Sequence, residues 1–264
     1  MRIQVVSDLH NEVVRHYSGE EPPGLPDVGA DVLVLAGDID NGTEGLRWAA
    51  EQSRVLDIPC IYVAGNHEFY GNHYPDLLDA LRDEAQGTGV QVLERDAVTL
   101  GGVRFLGATL WTDFAGDGRF PPSRVMPAVG QYMPDYQRIQ VNGEDDPLTP
   151  EMTRVCHRQT RAWLYEELTS ETAQPTVVVT HAAPLLDCAH PEYGLNEIAT
   201  AFVSDLHPLL AEGAPTAWIY GHTHANVDLY HCGVHVLSNQ RGYPDETVPG
   251  APFDPTRVIE INGA

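Results

Sequence analysis

The sequence predicts an α/β fold, in which strands alternate with helices that pack on the faces of a sheet. Eight short runs rich in Val, Ile, Leu and Tyr are apolar without interruption, as expected for strands covered on both faces. In chain order they are IQVVS, DVLVLAG, PCIYVAG, VRFLGATL, TVVVT, AWIYG, VHVLS and RVIEI. The last two form a β-rich tail. With no repeat, linker or low-complexity tract, residues 1–264 are interpreted as one domain.

Four stretches carry the apolar spacing of amphipathic helices. They cover residues 43–56, 74–85, 149–170 and 196–210. Thr43 stands at the start of the first stretch as a candidate N-cap, and Thr149 followed by Pro150 stands at the start of the third. Pro75 lies near the start of the second, where its missing N–H removes no helical hydrogen bond.

Residues 113–148 depart from this alternation. They are rich in Gly, Pro, aromatic residues and methionine, and they have no clean period, which predicts an irregular insertion. Such insertions are often functional, and a surface excursion without function is the alternative. Arg119 and Arg124 lie in this segment. They are candidate phosphate contacts, with solvated surface charge as the favoured alternative.

The chain is strongly acidic, with a formal net charge of −23 at pH 7. Such a field repels polyanions, so a nucleic-acid partner is not expected. The apolar runs are too short for a membrane span, and the N-terminal residues pass directly into a strand rather than a signal peptide. The four cysteines form no CxxC pair, which excludes a typical zinc knuckle. We therefore expect a cytoplasmic protein without a membrane partner.

Five of the apolar runs end in polar residues that can carry chemistry. In chain order these are Asp8 and His10, Asp38, Asn66 with His67 and Glu68, His181, and His222 with His224. The carboxyl ends of neighbouring parallel strands lie along one edge of a sheet, where ligands bind. Asp8, Asp38 and Asn66 are roughly 30 residues apart, which is the length of one β-α-β crossover. We therefore expect these side chains to converge.

The residue types and their spacing predict a pair of metal ions. Alternate residues of an extended strand end can address the same edge, as in D-x-H at 8–10 and H-x-H at 222–224. If Asp38 bridges, the two predicted ligand sets are Asp8, His10, Asp38 and His224, and Asp38, Asn66, His181 and His222. The glycines before Asp38, Asn66 and His222 permit a tight turn. Oxygen and nitrogen donors suit two ions of Mn, Fe or Zn and do not choose among them.

The ordered set D-x-H, GD, GNHE, H and GH-x-H resembles the motifs of the calcineurin-like metallophosphoesterase superfamily, from residue 8 to residue 224. The resemblance implies a four-layer α/β/β/α sandwich with two mixed sheets. It also implies hydrolysis of a phosphate ester by a hydroxide that bridges the metals, with His67 as the catalytic residue that protonates the leaving oxygen. Glu68 is expected to orient a neighbouring ligand.

Each of these residues also has an interpretation without catalysis. Asp8 can be a helix N-cap, and Asp38 and Asn66 can be turn residues. Their common position at strand exits argues against all three interpretations at once.

Several residues outside the motifs have interpretations with and without a role in the site. Five histidines are interpreted as surface or packing residues, namely His16, His157, His207, His231 and His235. His73 and His190 follow motif loops and are weaker candidates to line the cleft. Trp111 and Asp113 follow a further strand, where a role facing the substrate and core packing of Trp111 are both open.

The substrate is less constrained than the site. Protein Ser/Thr phosphatases of this superfamily carry GDxVDRG, whose arginine contacts phosphate, whereas residues 37–42 read GDIDNG. We therefore expect a small phosphodiester or phosphomonoester, and the pattern also resembles the cyclic-nucleotide phosphodiesterases. A metal-dependent nuclease and a non-catalytic metal-binding scaffold are the alternatives. The acidic charge argues against the first, and the complete ligand set argues against the second.

Overall fold

The computed structural model describes residues 1–141 and 144–262. Within these ranges the chain forms fourteen strands. They are β1 (Arg2–Val6), β2 (Val32–Ala36), β3 (Cys60–Val63), β4 (His73–Tyr74), β5 (Val90–Val92), β6 (Asp96–Leu100), β7 (Val103–Ala108), β8 (Gln140–Val141), β9 (Glu144–Pro147), β10 (Thr176–Thr180), β11 (Ala217–Tyr220), β12 (Asp228–His231), β13 (Val234–Ser238) and β14 (Val258–Glu260). All eight predicted strands are among them, so the strand prediction is confirmed.

The same ranges contain seven α-helices. They are α1 (Asn11–Ser18), α2 (Glu44–Leu56), α3 (Asp76–Ala85), α4 (Pro122–Tyr132), α5 (Asp135–Arg138), α6 (Pro150–Thr169) and α7 (His207–Gly213). Short 3-10 turns cover His67–Phe69, Leu186–Cys188 and Ile198–Ala201. The helices predicted at 43–56, 74–85 and 149–170 are confirmed as α2, α3 and α6. Helix α3 begins later than predicted because Tyr74 belongs to β4.

Five strands form the first sheet, in the order β14-β1-β2-β3-β5. Strands β1, β2, β3 and β5 are parallel, and β14 pairs antiparallel with β1. Helices α1, α2 and α3 lie in the crossovers between successive parallel strands. The carboxyl ends of β1, β2 and β3 therefore lie at the same edge of the sheet.

Six strands form the second sheet, in the order β12-β13-β11-β10-β7-β6. Its four central strands are parallel, and the two outer strands, β12 and β6, are antiparallel to their neighbours. Both sheets are therefore mixed, as the resemblance implied.

Three apolar layers lie between the sheets and helices. Side chains from the facing sides of the two sheets, such as Val34 and Val179, form the central layer. Leu46 of α2 and Leu81 of α3 pack on the outer face of the first sheet. Leu164 of α6 packs on the outer face of the second. The order helix, sheet, sheet, helix confirms the predicted α/β/β/α sandwich.

The segment 113–148 was expected to be irregular, and for most of its described residues this is wrong. It contains α4, α5, β8 and β9, and β8 pairs with β4 and β9 in a small third sheet. Val125 and Val129 of α4 are buried in the layer that covers the first sheet. Pro121 before α4 and Pro127 inside it obscure the helical period in the sequence. Residues 142 and 143 of the segment lie outside the described residues.

The helix predicted over 196–210 is also wrong. Only one 3-10 turn and the start of α7 are helical there. Between them, the backbone of Phe202 and Ser204 hydrogen-bonds to Ala183, and Val203 forms a β-bridge with Ala183. Backbone groups of Phe202, Ser204 and Leu206 therefore bind the residues after β10, which interrupts a continuous helix.

Among the residues that the structure describes, no helix combines the length and the apolarity that a membrane span requires. The interpretation of residues 1–264 as one domain stays a prediction.

Thr149→Ala should lower the free energy of unfolding by about 1 kcal/mol, because the Thr149 hydroxyl accepts a hydrogen bond from the Met152 N–H (3.3 Å) at the start of α6. Thr43→Ala is the matched control. Thr43 precedes α2 in the same way, but its side chain makes no capping hydrogen bond. The control should change stability by less than about 0.5 kcal/mol. Urea denaturation measures both variants, and equal losses would contradict the assigned cap.

Candidate metal centre

The motif residues lie where the two sheets meet at the carboxyl ends of their parallel strands. In the first sheet, Asp8 and His10 follow β1, Asp38 follows β2, and Asn66 and His67 follow β3. In the second sheet, His181 follows β10, and His222 and His224 follow β11. Ser7 and Gln240 form a β-bridge between the two sheets, and Nδ1 of His181 lies 2.9 Å from the Ala36 carbonyl oxygen. The site therefore lies between two sheets rather than along the edge of one.

Three of these residues form a first group of donor atoms. Nε2 of His10 lies 3.0 Å from Nε2 of His224, which lies 3.5 Å from Oδ1 of Asp8. One donor atom from each residue lies within 4.8 Å of the other two. The second oxygen of Asp8, Oδ2, is buried and has no hydrogen-bond partner among the described residues. Two imidazole nitrogens beside an unpartnered carboxylate oxygen fit a metal cation.

Asp38, His181 and His222 form a second group with the same spacing. Nε2 of His181 lies 3.4 Å from Oδ1 of Asp38 and 3.0 Å from Oδ1 of Asn66. Asp38 also approaches the first group, with its Oδ2 at 3.9 Å from Nε2 of His10. Asp38 thus belongs to the second group and borders the first, so its carboxylate can contribute to both.

Burial and neighbouring charges set the protonation of this cluster. Burial lowers the pKa of His181, but the Asp38 carboxylate outweighs it and raises that pKa to about 9. Burial and the nearby His181 lower the pKa of His222 to about 3. Burial disfavours the ionised form of Asp38, yet His181 and His67 hold its pKa well below the usual range. Asp38 is therefore ionised, and His222 presents a neutral imidazole.

Five of the motif residues have a left-handed backbone. The values of φ are 50° at Asp8, 43° at His10, 54° at Asp38, 71° at His222 and 47° at His224. The expectation of extended backbone at the D-x-H and H-x-H positions is therefore wrong. Each such conformation costs roughly 1–3 kcal/mol, and strain of this kind gathers where side chains must converge on a site.

Two glycines are required by close approach rather than by a turn. A Cβ at Gly65 would lie 2.2 Å from Oδ1 of Asp38, and a Cβ at Gly221 would lie 2.4 Å from Oδ2 of Asp8. Gly37 has a φ of 88°, which agrees with the turn predicted before Asp38.

Glu68 is a fully buried residue that binds the backbone around the site. Its Oε2 accepts hydrogen bonds from the N–H groups of Asp38 (3.0 Å) and Gly65 (2.7 Å). Its Oε1 accepts from the Ile39 N–H (2.8 Å) and the Tyr62 hydroxyl (2.8 Å). Glu68 thereby fixes the turns after β2 and β3, which agrees with the expectation that it orients a neighbouring predicted ligand, here Asp38.

Comparison with known proteins identifies the family. The sequence profile described as calcineurin-like phosphoesterase matches residues 1–226. The chain belongs to the calcineurin-like phosphoesterase family. Members of this family generally bind two metal ions, and the two donor groups around Asp38 are candidate sites for them.

Two relatives align with nearly the whole chain. The uncharacterized protein L509 of Acanthamoeba polyphaga mimivirus is 27% identical over 286 residues, covering 99% of this chain and 98% of that protein. The acyl-carrier-protein phosphodiesterase PptH of Mycobacterium tuberculosis is 26% identical, covering 96% and 82%.

Two solved structures share the fold. The crystal structure of the phosphopantetheinyl hydrolase PptH from Mycobacterium tuberculosis has a TM-score of 0.66 at 21% identity, covering 92% of this chain and 89% of that one. A dimetal phosphatase from Danio rerio has a TM-score of 0.51 at 16% identity, and the match covers 92% of this chain and 88% of that one. At these identities the likeness shows the fold alone.

His67, the histidine of the family motif GNHE, borders the first donor group. Its Nδ1 lies 2.9 Å from Oε1 of Glu12, and its Nε2 lies 3.1 Å from the Tyr243 hydroxyl. The same Glu12 oxygen lies 3.4 Å from Nδ1 of His10. Burial raises the pKa of Glu12, but hydrogen bonds from His10 and His67 bring it down to about 2. One carboxylate therefore orients both histidines.

Several residues that contact the motif side chains could not be identified from the sequence, among them Glu12, Asp135, Tyr243 and Glu246. Oδ1 of Asp135 accepts a hydrogen bond from the Asn66 amide (2.9 Å), and Oε2 of Glu246 lies 2.5 Å from Nδ1 of His224. Tyr243 and Glu246 follow β13, which is parallel to β11. The rule that ligands gather at the ends of parallel strands would have included them had β13 been placed beside β11.

A cavity of about 520 Å³ lies beside the two donor groups. His190 lines it, whereas His73 in β4 does not. Trp111 packs in the core against Phe69 and Tyr74. Of the two interpretations of Trp111, the structure favours core packing.

The other candidate residues named from the sequence lie outside this cavity. Asp113 accepts a hydrogen bond from the Ser204 hydroxyl (3.3 Å). Arg119 and Arg124 are exposed and form ion pairs with Asp117 and Glu197. The remaining histidines are packed or at the surface. His157 is buried and its Nδ1 lies 2.5 Å from the Trp111 carbonyl oxygen, His16 is exposed, His207 contacts His231, and His235 contacts Asp228.

Glu68→Gln should lower the free energy of unfolding by about 1–3 kcal/mol, because the amide NH₂ cannot accept and leaves at least one buried backbone N–H unpaired. Tyr62→Phe is the control, since it removes one donor and leaves both Glu68 oxygens with backbone partners. It should cost about 1 kcal/mol or less. Guanidinium unfolding compares the two, and a silent Glu68→Gln would contradict the assigned role.

Proposed function

We propose that this family member is a hydrolase of a small phosphoester with two metal ions as cofactors. The observation that carries the proposal is the position of Asp38 between two groups of nitrogen and oxygen donors, beside a cavity of about 520 Å³. The unpartnered Oδ2 of Asp8 supports a cation at the first group. The absence of thiolate among the proposed donors suits Mn, Fe or Zn.

The ligand assignment follows the two groups. Asp8, His10, Asp38 and His224 would hold one ion, and Asp38, Asn66, His181 and His222 the other. When bound, two such ions activate a water for attack on phosphorus and offset the charge of the phosphoryl oxygens. The chain keeps the ligands in place through Glu12 on His10, Asp135 on Asn66 and Glu246 on His224.

His67 is proposed as the general acid. Glu12 holds Nδ1 of the ring, so Nε2, which contacts only the Tyr243 hydroxyl (3.1 Å) among the described hydrogen-bond partners, is the nitrogen that would address the substrate in place of that contact. Nε2 lies 3.9 Å from Oδ2 of Asp38, at the border of both donor groups, and His67 lines the cavity. A proton held at Nε2 can therefore pass to a leaving oxygen of a phosphate bound between the groups.

A phosphodiester is favoured over a phosphomonoester, because PptH, which aligns with 96% of this chain, is named a phosphodiesterase. A nuclease on the same scaffold is disfavoured by the net charge of −23. A non-catalytic scaffold is disfavoured because neither His67 nor any proposed ligand is missing.

The protein should hydrolyse bis(p-nitrophenyl) phosphate faster than p-nitrophenyl phosphate. EDTA should abolish the hydrolysis of both esters, and added Mn²⁺ should restore it. Asp38→Asn should lower metal content and reduce kcat by more than about 10²-fold, because both ions lose a ligand. Asp40→Asn is the matched control, since the buried Asp40 binds Arg15 (2.6 and 2.7 Å) and belongs to neither donor group. Metal content is measured by plasma mass spectrometry. Activity that survives EDTA would overturn the two-metal proposal.

His67→Gln should reduce kcat roughly 10²–10⁴-fold toward methyl phenyl phosphate while metal content is retained. The loss should be much smaller with methyl p-nitrophenyl phosphate, because p-nitrophenolate leaves without protonation. His73→Gln, on the neighbouring β4, is the control for a histidine outside the cavity. Equal losses with both leaving groups would contradict the role of His67 as an acid.

A further inference from the structure

The cavity beside the donor groups has a second end that the proposed chemistry does not use. We propose that this end binds an uncharged, largely apolar organic group esterified to the phosphate. This inference rests on the proposed function and names the class of its substrate.

Apolar side chains form the wall away from the metal ligands. They belong to Met133 and Pro134, between α4 and α5, and to Ile198 and Phe202, and the polar residues His190, Tyr193 and Asn196 line the same cavity. The Phe202 ring stacks on His222, with centroids 4.6 Å apart at 25°. The apolar wall therefore begins directly beside a proposed ligand. The volume of about 520 Å³ is within the range of small-molecule sites.

The charges on the cavity wall select against an anionic group. None of the described residues that line the cavity is Lys or Arg. The carboxylates among them are Asp38 and Glu246. A second phosphate or a carboxylate on the substrate would therefore lose water without gaining a Lys or Arg partner. An alkyl arm gains free energy by the same transfer.

The two arginines that were candidate phosphate contacts hold this wall instead. Arg119 donates to the Leu195 carbonyl oxygen (3.1 Å), and Arg124 pairs with Glu197 (2.7 Å). Both contacts link the segment 113–148 to the chain just before Ile198. The two guanidinium groups therefore bind partners outside the cavity and do not line it.

Competitive inhibition by monoalkyl phosphates tests the inference on the Mn²⁺-loaded protein, with bis(p-nitrophenyl) phosphate as the reporter substrate. Ki should fall about threefold for each added CH₂ from methyl to butyl phosphate and fall further for hexyl phosphate. The matched anionic probe, 5-carboxypentyl phosphate, should return Ki to within about threefold of methyl phosphate. A flat series, or a carboxypentyl ester that binds as tightly as the hexyl ester, overturns the inference.

Met133→Lys introduces a positive charge on the cavity wall and provides a second test. The substitution should raise Ki for hexyl phosphate and lower Ki for 5-carboxypentyl phosphate, each roughly tenfold, and leave Ki for methyl phosphate unchanged. Met152→Lys, at an exposed position of α6, should leave all three unchanged. If Met133→Lys does not fold, the wild-type series still decides. Absence of any metal-dependent hydrolysis overturns the proposed function, whereas hydrolysis with a flat series overturns only this inference.

Discussion

The carboxylate of Asp38 is a buried negative charge at the junction of two sheets, and the arrangement of the site follows from the need to compensate it. An unpaired buried carboxylate would cost several kcal/mol. Oδ1 accepts a hydrogen bond from the His67 backbone N–H (2.8 Å) and faces Nε2 of His181 at 3.4 Å. Oδ2 faces the rings of His10 and His67 at 3.9 Å. Because these partners follow β1, β3 and β10, the charge is compensated only when both sheets are assembled.

The same assembly sustains the strained backbone. The His222 N–H donates to Oδ1 of Asp8 (2.9 Å), and the His224 N–H donates to Oε1 of Gln240 (2.7 Å). Gln240 is fully buried and follows β13. Each left-handed residue of the turn after β11 is thus held by a side chain from another strand end. Local sequence alone would not stabilise these conformations, so the donor groups form together with the tertiary structure.

The strand exits could be predicted because a buried parallel strand leaves two local signals. It reads as an uninterrupted apolar run, and it stops at a polar residue or glycine. Apart from Glu68, the residues that orient the proposed ligands leave neither signal. Glu12 lies on α1, which has 8 residues, and a helix so short shows little period. Asp135 follows Pro134 in a segment of short elements, and the contacts of Tyr243 depend on the parallel pairing of β13 with β11.

The errors in helix prediction have a related cause. Residues 196–210 have apolar residues at helical spacing, yet Val203 bridges to Ala183, whose backbone N–H and carbonyl group pair with Phe202 and Ser204. Periodicity reports which side chains are apolar, and the competition for backbone hydrogen bonds decides between helix and bridge. Periodicity also does not show which sheet a strand joins. The prediction of two facing sheets therefore came from the resemblance to the family.

The acidic character of the chain and an anionic substrate are compatible once the surface and the site are treated separately. The net charge of −23 is spread over the molecule, and screening by salt confines its influence to about 8–10 Å from each charge. Between the donor groups, the proposed ligands bring only two carboxylates, Asp8 and Asp38, to two cations, which leaves an excess of positive charge where the phosphate would lie. The surrounding negative field then has a selective effect. In the proposed site it would tolerate one anionic phosphate between the donor groups and would oppose a second anion on the same substrate.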